Sequence, residues 1–193
     1  LKRLEYRGYD SAGLATLAGG HIQRTRAQGK VAKLESLLSD STANQGIAHT
    51  RWATHGAPSI QNAHPHQSGR FAVVHNGIIE NYESLRSELT DLGYTFDSDT
   101  DTETIAHLLH YVSQTHDSFD AVVKAAIKRL EGAFALAILD QETPGVLWVA
   151  RQGSPLVIGV GHGEHFGGSD QLALLHVTDR FIFLNEGDSA KLR

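Results

Sequence analysis

TDTETIAHLLHYV, running from Thr100 to Val112, opens with a capping-box pattern: the Thr100 hydroxyl can accept from the backbone three residues on, and Glu103 can reach back. Ile105, Leu108, Leu109 and Val112 then recur at i, i+3, i+4 and i+7, which predicts a helix with one apolar face. Working outward, Asn81 can cap an earlier helix carrying Leu85, Leu89 and Leu92, and Gly93 stops it. Val122, Val123, Ala126, Ile127 and Leu130 predict a later helix that ends near Gly132. Short β-rich runs flank this helical block on both sides: Gly13 to Leu17, Gly46 to Thr50 and Phe71 to His75 before it, then Ala133 to Leu139, Val146 to Ala150, Leu156 to Val160 and Phe181 to Leu184 after it. Strands grouped around a helical block indicate an α+β fold rather than alternating βαβ units, with two mainly antiparallel sheets and helices outside them. Ser36 to Gln45 is polar and reads as a loop. Gly159 to Gly163 reads as a turn, because no helix pattern follows it to present an N-terminus to a phosphate.

The 193 residues are 40% hydrophobic and 20% charged, enough for one domain with one sizeable core. A net charge of −5 with thinly spread Lys and Arg gives no basic stripe, so no nucleic-acid partner is expected. No apolar run approaches the roughly 20 residues that span a bilayer, and the start lacks the apolar stretch of a signal peptide, so the chain reads as cytoplasmic with no membrane partner. The absence of cysteine leaves no disulfide framework. The absence of methionine, the initiator included, leads us to expect that the natural N-terminus lies upstream of Leu1.

Three segments look chemical. Ala48-His49-Thr50-Arg51-Trp52-Ala53-Thr54-His55-Gly56 sets a guanidinium, an indole, hydroxyls and imidazoles where a strand runs into a loop; Arg51 offers a bidentate fork for a carboxylate. The same residues also fit a surface Arg51 and His55 around a core Trp52. His75-Asn76-Gly77 ends an apolar strand, either as a hairpin turn or as an oxyanion site in which the Asn76 amide and a backbone N–H converge on developing negative charge. Asp97 to Glu103 is a carboxylate-rich helix start. The helix dipole explains it; one carboxylate left over could hold an ammonium group, whereas the glycine and glutamate spacing of a calcium loop is absent. Twelve histidines raise a metal site, but no cysteine and no HExxH pattern accompany them, so neither metal nor cofactor is expected, and His107 and His110 read as ordinary helix residues.

Taken in order, Arg3 to Gly13 (RLEYRGYDSAG), Gly46 to Gly56, Asn62 to His66, His75 to Asn81, Thr100 to Glu103, Gly153 to Gly159 and Ser169 to Gln171 resemble the class II glutamine amidotransferases over nearly the whole chain. The opening and the Arg51 to Gly56 run look more like members that use the ammonia to turn fructose 6-phosphate into glucosamine 6-phosphate than like the phosphoribosyl or asparagine-forming members. The resemblance implies an Ntn-hydrolase fold, a four-layer αββα sandwich, and hydrolysis of L-glutamine to glutamate and ammonia. It implies Arg51, with Thr54 and His55, on the substrate carboxylate, Asp101 on its ammonium, and Asn76 with the Gly77 N–H at the oxyanion. It also places Trp52 on the closing loop, Arg7 as a support for the nucleophile's end, and His64 as support for the loop. Family members open with a cysteine-glycine strand and a helix, about 20 residues by typical element lengths, and their cysteine is the nucleophile. A truncated glutaminase domain over residues 1–193, inactive alone, is therefore expected. So is a C-terminal sugar isomerase domain in the same polypeptide, through which the full-length protein forms a homodimer. Two other readings are a non-catalytic glutamine- or glutamate-binding module and a class II amidotransferase with a different partner domain.

Overall fold

The computed structural model describes residues 1–52 and 56–193. After a 3-10 turn at Lys2–Arg7, strands β1 (Ser11–Ala18), β2 (His21–Gln28) and β3 (Gly46–Arg51) form one antiparallel sheet in the order β2-β1-β3, with the short helix α1 (Val31–Glu35) packed on it. Strands β4 (His66–Ser68) and β5 (Phe71–Ile79) lead into helices α2 (Tyr82–Asp91), α3 (Asp101–Ser113) and α4 (Phe119–Ile127). The chain then returns through β6 (Gly132–Asp140) and β7 (Leu147–Gln152). With the last strand β11 (Ser189–Leu192) these complete a five-stranded antiparallel sheet, β11-β7-β6-β5-β4. Strands β8 (Val157–Val160), β9 (His165–Gly168) and β10 (Phe181–Phe183) make a third sheet, β10-β8-β9.

Period-two alternation sorts the side chains of the large sheet. Phe71, Val73, Phe134, Leu136 and Ile138 point to α3 and α4, where they meet Ile105, Leu108, Leu109, Val122 and Val123 in one apolar core. Ala72, Val74 and Leu139 point the other way and meet Ala15 and Ile47 of the first sheet, while Ala135 and Val149 on that face meet Leu156 and Ile158 of the third. Both small sheets therefore lie on one face of the large sheet and the helices on the other. The layers are those of an αββα sandwich whose second outer helical layer is reduced to α1. The expected second sheet is present as two three-stranded pieces. Among the described residues no helix is long and apolar enough to cross a membrane.

Thr100 caps α3 as the capping box predicts, accepting from Glu103 N–H, but the Glu103 carboxylate reaches past Thr100 to the N–H groups of Asp97 (3.0 Å) and Ser98 (2.8 Å). Burial favours the neutral acid, yet hydrogen bonds from His107, Asp97 and Ser98 outweigh it and bring the Glu103 carboxyl down to about 2. Asn81 precedes α2 without capping it by its side chain; its amide instead donates to Arg129 O and accepts from Glu131 N–H, tying α2 to the start of β6. The hairpin reading of Asn76-Gly77 is not what forms, since β5 runs through both residues in register with Ala135 and Phe134 of β6. His107 and His110 lie on α3 as expected and both contact the Ser68 hydroxyl.

Candidate functional site

A cavity of about 700 Å³ opens between the two small sheets and the large one. Every residue of β3 borders it, and so does every residue of β9. A strand that met the cavity with one face alone would contribute alternate residues, so these two strands present their edges to it. Arg7, Arg51, Trp52, His64, Asn76, Gly77 and Asp101, drawn from well-separated segments, all line this cavity. Thr54 and His55 lie outside the described residues.

Arg51 ends β3 and is buried. Its Nη1 lies 3.5 Å from Asp10 Oδ1, and its Nη2 donates to Gly56 O (3.1 Å), so the guanidinium fastens the far end of the segment that follows β3. Asp101 is the first residue of α3, where a carboxylate also suits the positive end of the helix dipole. One of its oxygens accepts Ile79 N–H (2.9 Å), which fixes the start of α3 against the end of β5. Gly77 has φ +128°, and a Cβ there would collide with the Ala133 carbonyl oxygen on β6; a side chain cannot be accommodated where the β5 backbone meets the cavity. Gly8 has φ +97° and lies under the Trp52 ring, so that a Cβ would strike the indole, which is otherwise 66% exposed at the rim. Arg7 donates to Ser169 Oγ (3.1 Å) beside the Tyr6–Asp170 hydrogen bond, tying the N-terminal turn to the segment after β9.

The sequence reading missed the wall behind these residues. Ile47, His49 and Arg51 share the face of β3 that looks toward β5, and Val74 and Asn76 look back from β5. His49 Nε2 lies 2.7 Å from Asn76 Oδ1 and bridges the two layers. The His64 ring is tilted over His49 with centroids 4.2 Å apart, and His64 meets His66 edge-on at 5.0 Å. His64 Nε2 (2.7 Å) and His75 Nδ1 (3.1 Å) both contact Thr102 Oγ1 on α3, and His66 Nε2 contacts Thr100 Oγ1 (3.0 Å). Burial pushes three of these imidazoles toward neutrality: His49 is brought down to about 4, His66 to about 3, and His64 well below its ordinary value. At these three positions the wall therefore presents neutral donors and acceptors rather than cations near neutral pH. A single sequence gives little sign of this, because His49, His64, His66 and His75 sit on three segments that only the fold brings together.

Chemically, the cavity brings together a guanidinium, a carboxylate, a side-chain amide and a close backbone approach at Gly77. Residues 49–176 match the glutamine amidotransferase domain family. Over its whole length the chain is 60% identical to the glutamine–fructose-6-phosphate aminotransferase (isomerizing) of Pseudomonas putida and 57% identical to that of Haemophilus influenzae, and it spans 32% of each of those proteins. Among solved structures it resembles the glutamine phosphoribosylpyrophosphate amidotransferase of B. subtilis, with a TM-score of 0.83 at 26% identity over 98% of this chain and 42% of that one. The chain thus covers about a third of the length of the curated relatives it matches. Its sequence match runs from the His49 wall on β3 past β9, and its fold is that of an amidotransferase; the chain belongs to the glutamine amidotransferase family.

Proposed function

We propose that this chain is the glutamine-hydrolysing domain of a glutamine:fructose-6-phosphate aminotransferase, with L-glutamine as its substrate. The observation that carries this is the convergence of Arg51, Asn76, Gly77 and Asp101 on one cavity. In this reading Arg51 binds the α-carboxylate with Thr54 and His55, and Asp101 uses its remaining oxygen lone pairs for the α-ammonium. The Asn76 amide and the Gly77 N–H bind the oxygen of the side-chain amide as it becomes an oxyanion. Trp52 covers the rim on its Gly8 seat, Arg7 steadies the entrance, and His64 supports the wall. A thiolate attacks the amide carbon, the C–N bond breaks with a proton delivered to the leaving ammonia, and water then releases glutamate from the thioester. The described chain contains no cysteine, so the thiol comes from outside these 193 residues. A strand that carries it would pair with the edges of β3 and β9, both of which border the cavity, and join the two three-stranded sheets. Ammonia passes to fructose 6-phosphate on a sugar isomerase domain of the same polypeptide, and that part of the protein forms the homodimer.

The test compares glutamate release by this chain with that of the full-length protein. The full-length protein is expected to hydrolyse glutamine and this chain alone to be inactive. Arg51→Ala in the active form is expected to raise the apparent Kd for glutamine about 100-fold, as when a carboxylate loses a charged hydrogen-bond partner worth about 2–3 kcal/mol. Glutamine binding without hydrolysis by the full-length protein would instead support a binding module, and an Arg51→Ala variant of unchanged affinity would remove the clamp from the account.

A further inference from the structure

The amide at position 76 can serve an oxyanion only if its NH₂, not its oxygen, faces the reacting centre, and nothing in Asn76 itself decides which way it turns. Asn76 lines the cavity, and the one hydrogen bond of its side chain among the described residues is with His49 Nε2, 2.7 Å from Oδ1. We propose that His49 is the positioning residue for this amide: its Nε2–H, donated to Asn76 Oδ1, occupies the amide oxygen and turns the NH₂ into the cavity. The inference rests on reading the cavity as a site of glutamine hydrolysis.

Three observations support the assignment. First, packing does not call for an imidazole at position 49, because Ile47 fills the equivalent inter-layer place two residues earlier with an apolar side chain. Second, the ring is held on more than one side. His64 is tilted against it, and the His64 ring is anchored in turn to Thr102 on α3, next to Asp101. The same hydrogen-bonded wall therefore sets both ends of the site, the amide through His49 and the helix that carries Asp101 through Thr102. Third, burial bears on the tautomer. His49 Nδ1 is shielded from solvent and makes no well-formed hydrogen bond among the described residues, the His75 backbone being the ring's other polar neighbour beside Asn76. A buried N–H without an acceptor costs more than a buried lone pair without a donor, which places the single proton of the neutral ring on Nε2, where Asn76 accepts it. A ring protonated at Nδ1 would instead accept from the Asn76 NH₂ and turn the amide oxygen toward the substrate, where it would repel the oxyanion.

In the full-length protein, His49→Leu is expected to lower kcat for glutamine hydrolysis by about 10- to 100-fold, the size typical of an outer partner that orients a working group, with KM nearly unchanged. His49→Gln, whose amide N–H can reach the same oxygen, is expected to recover most of that loss. On the full-length protein with isotopically labelled histidine, imidazole ¹⁵N shifts are expected to report the Nε2–H tautomer of His49 at neutral pH. Equal impairment of the Gln and Leu variants, a rise in KM at constant kcat, or an Nδ1–H tautomer would each overturn the proposal. Should the wild-type protein fail to hydrolyse glutamine, the functional reading falls, and the tautomer measurement still decides the geometry of the His49–Asn76 pair. Should His49→Leu fail to fold, the Gln variant and the tautomer decide it.

Discussion

The two faces of the five-stranded sheet differ in what they pack against. Toward the helices, Phe71, Val73, Phe134, Leu136 and Ile138 present large side chains to α3 and α4 and close a single apolar core. Toward the small sheets, Ala72, Val74, Ala135 and Val149 present smaller ones, with Leu139 the large exception, and contacts divide between two separate clusters. Small side chains let the second layer approach closely, and where β5 reaches Asn76 and Gly77 that layer stops packing and the cavity begins. One face closes the larger apolar cluster; the other gives up apolar contact for a wall of buried, hydrogen-bonded imidazoles and hydroxyls. Such a wall costs free energy unless its polar atoms are satisfied. It also gives fixed directions to the groups that face a ligand.

If the division is real, substitutions on the two faces separate stability from chemistry. The largest effect on folding belongs to the helical face. Leu108→Ala, at a fully buried position of α3, is expected to lower unfolding free energy by about 2–5 kcal/mol in urea titrations, with glutamine KM unaltered while the protein remains folded. On the cavity face, Asn76→Ala in the full-length protein is expected to cut kcat by about 10²–10³-fold, the loss seen when one oxyanion donor is removed, with a loss of stability confined to the about 1–3 kcal/mol of leaving His49 Nε2–H without its acceptor. A large drop in stability for Asn76→Ala, or a KM effect for Leu108→Ala, would break the comparison.

Acid sharpens it further. An unfolded histidine takes up a proton near pH 6.5, whereas His49 and His66 stay neutral in the folded chain down to about 4 and about 3. The unfolded state therefore binds more protons in that interval. The stability these rings contribute is complete above pH 6.5 and declines as pH falls, by up to about 1.4 kcal/mol per pH unit for each ring. Glu103, lowered to about 2, acts in the same direction at lower pH: its contribution is complete above its ordinary value of 4.5 and is lost between there and about 2. Urea midpoints at pH 7, 6 and 5 should fall in sequence, and His49→Gln should flatten the decline; a pH-independent midpoint would mean that the wall is open to water. The smallest expected effect on folding is that of Trp52→Ala. Its indole is largely exposed, so stability should stay within about 0.5 kcal/mol of wild type, while a higher glutamine KM would mark the rim as part of the site.

The elements with strong local signals were legible in the sequence. Ile105, Leu108, Leu109 and Val112 form the buried face of α3, and the runs at Gly13–Leu17, Phe71–His75 and Ala133–Leu139 all lie inside strands. Strand β2 was not legible, because His21–Gln28 carries Gln23, Arg24 and Arg26 on a largely solvent-facing edge where no apolar alternation is needed. Strands β9 and β11 are four residues each and carry glycine or polar side chains, too short for periodicity to register. In the site, Arg51, Trp52, Asn76, Gly77 and Asp101 stood out because their residue types carry their chemistry with them. His49 and Thr102 lie in the same segments but carry no role that the sequence reveals, since what they offer depends on what lies across from them.

By itself, the sequence determined where the chain turns helical and which faces are apolar, because these follow from period and capping within a few residues. Only the tertiary structure decided that β5 continues through Asn76-Gly77 instead of turning, since its partner strand β6 lies more than fifty residues downstream. It alone also decided the orientation of the Asn76 amide. Position 49 meets position 76 across two layers that no local pattern could align, and a hydrogen bond between layers exists only once both sheets have packed.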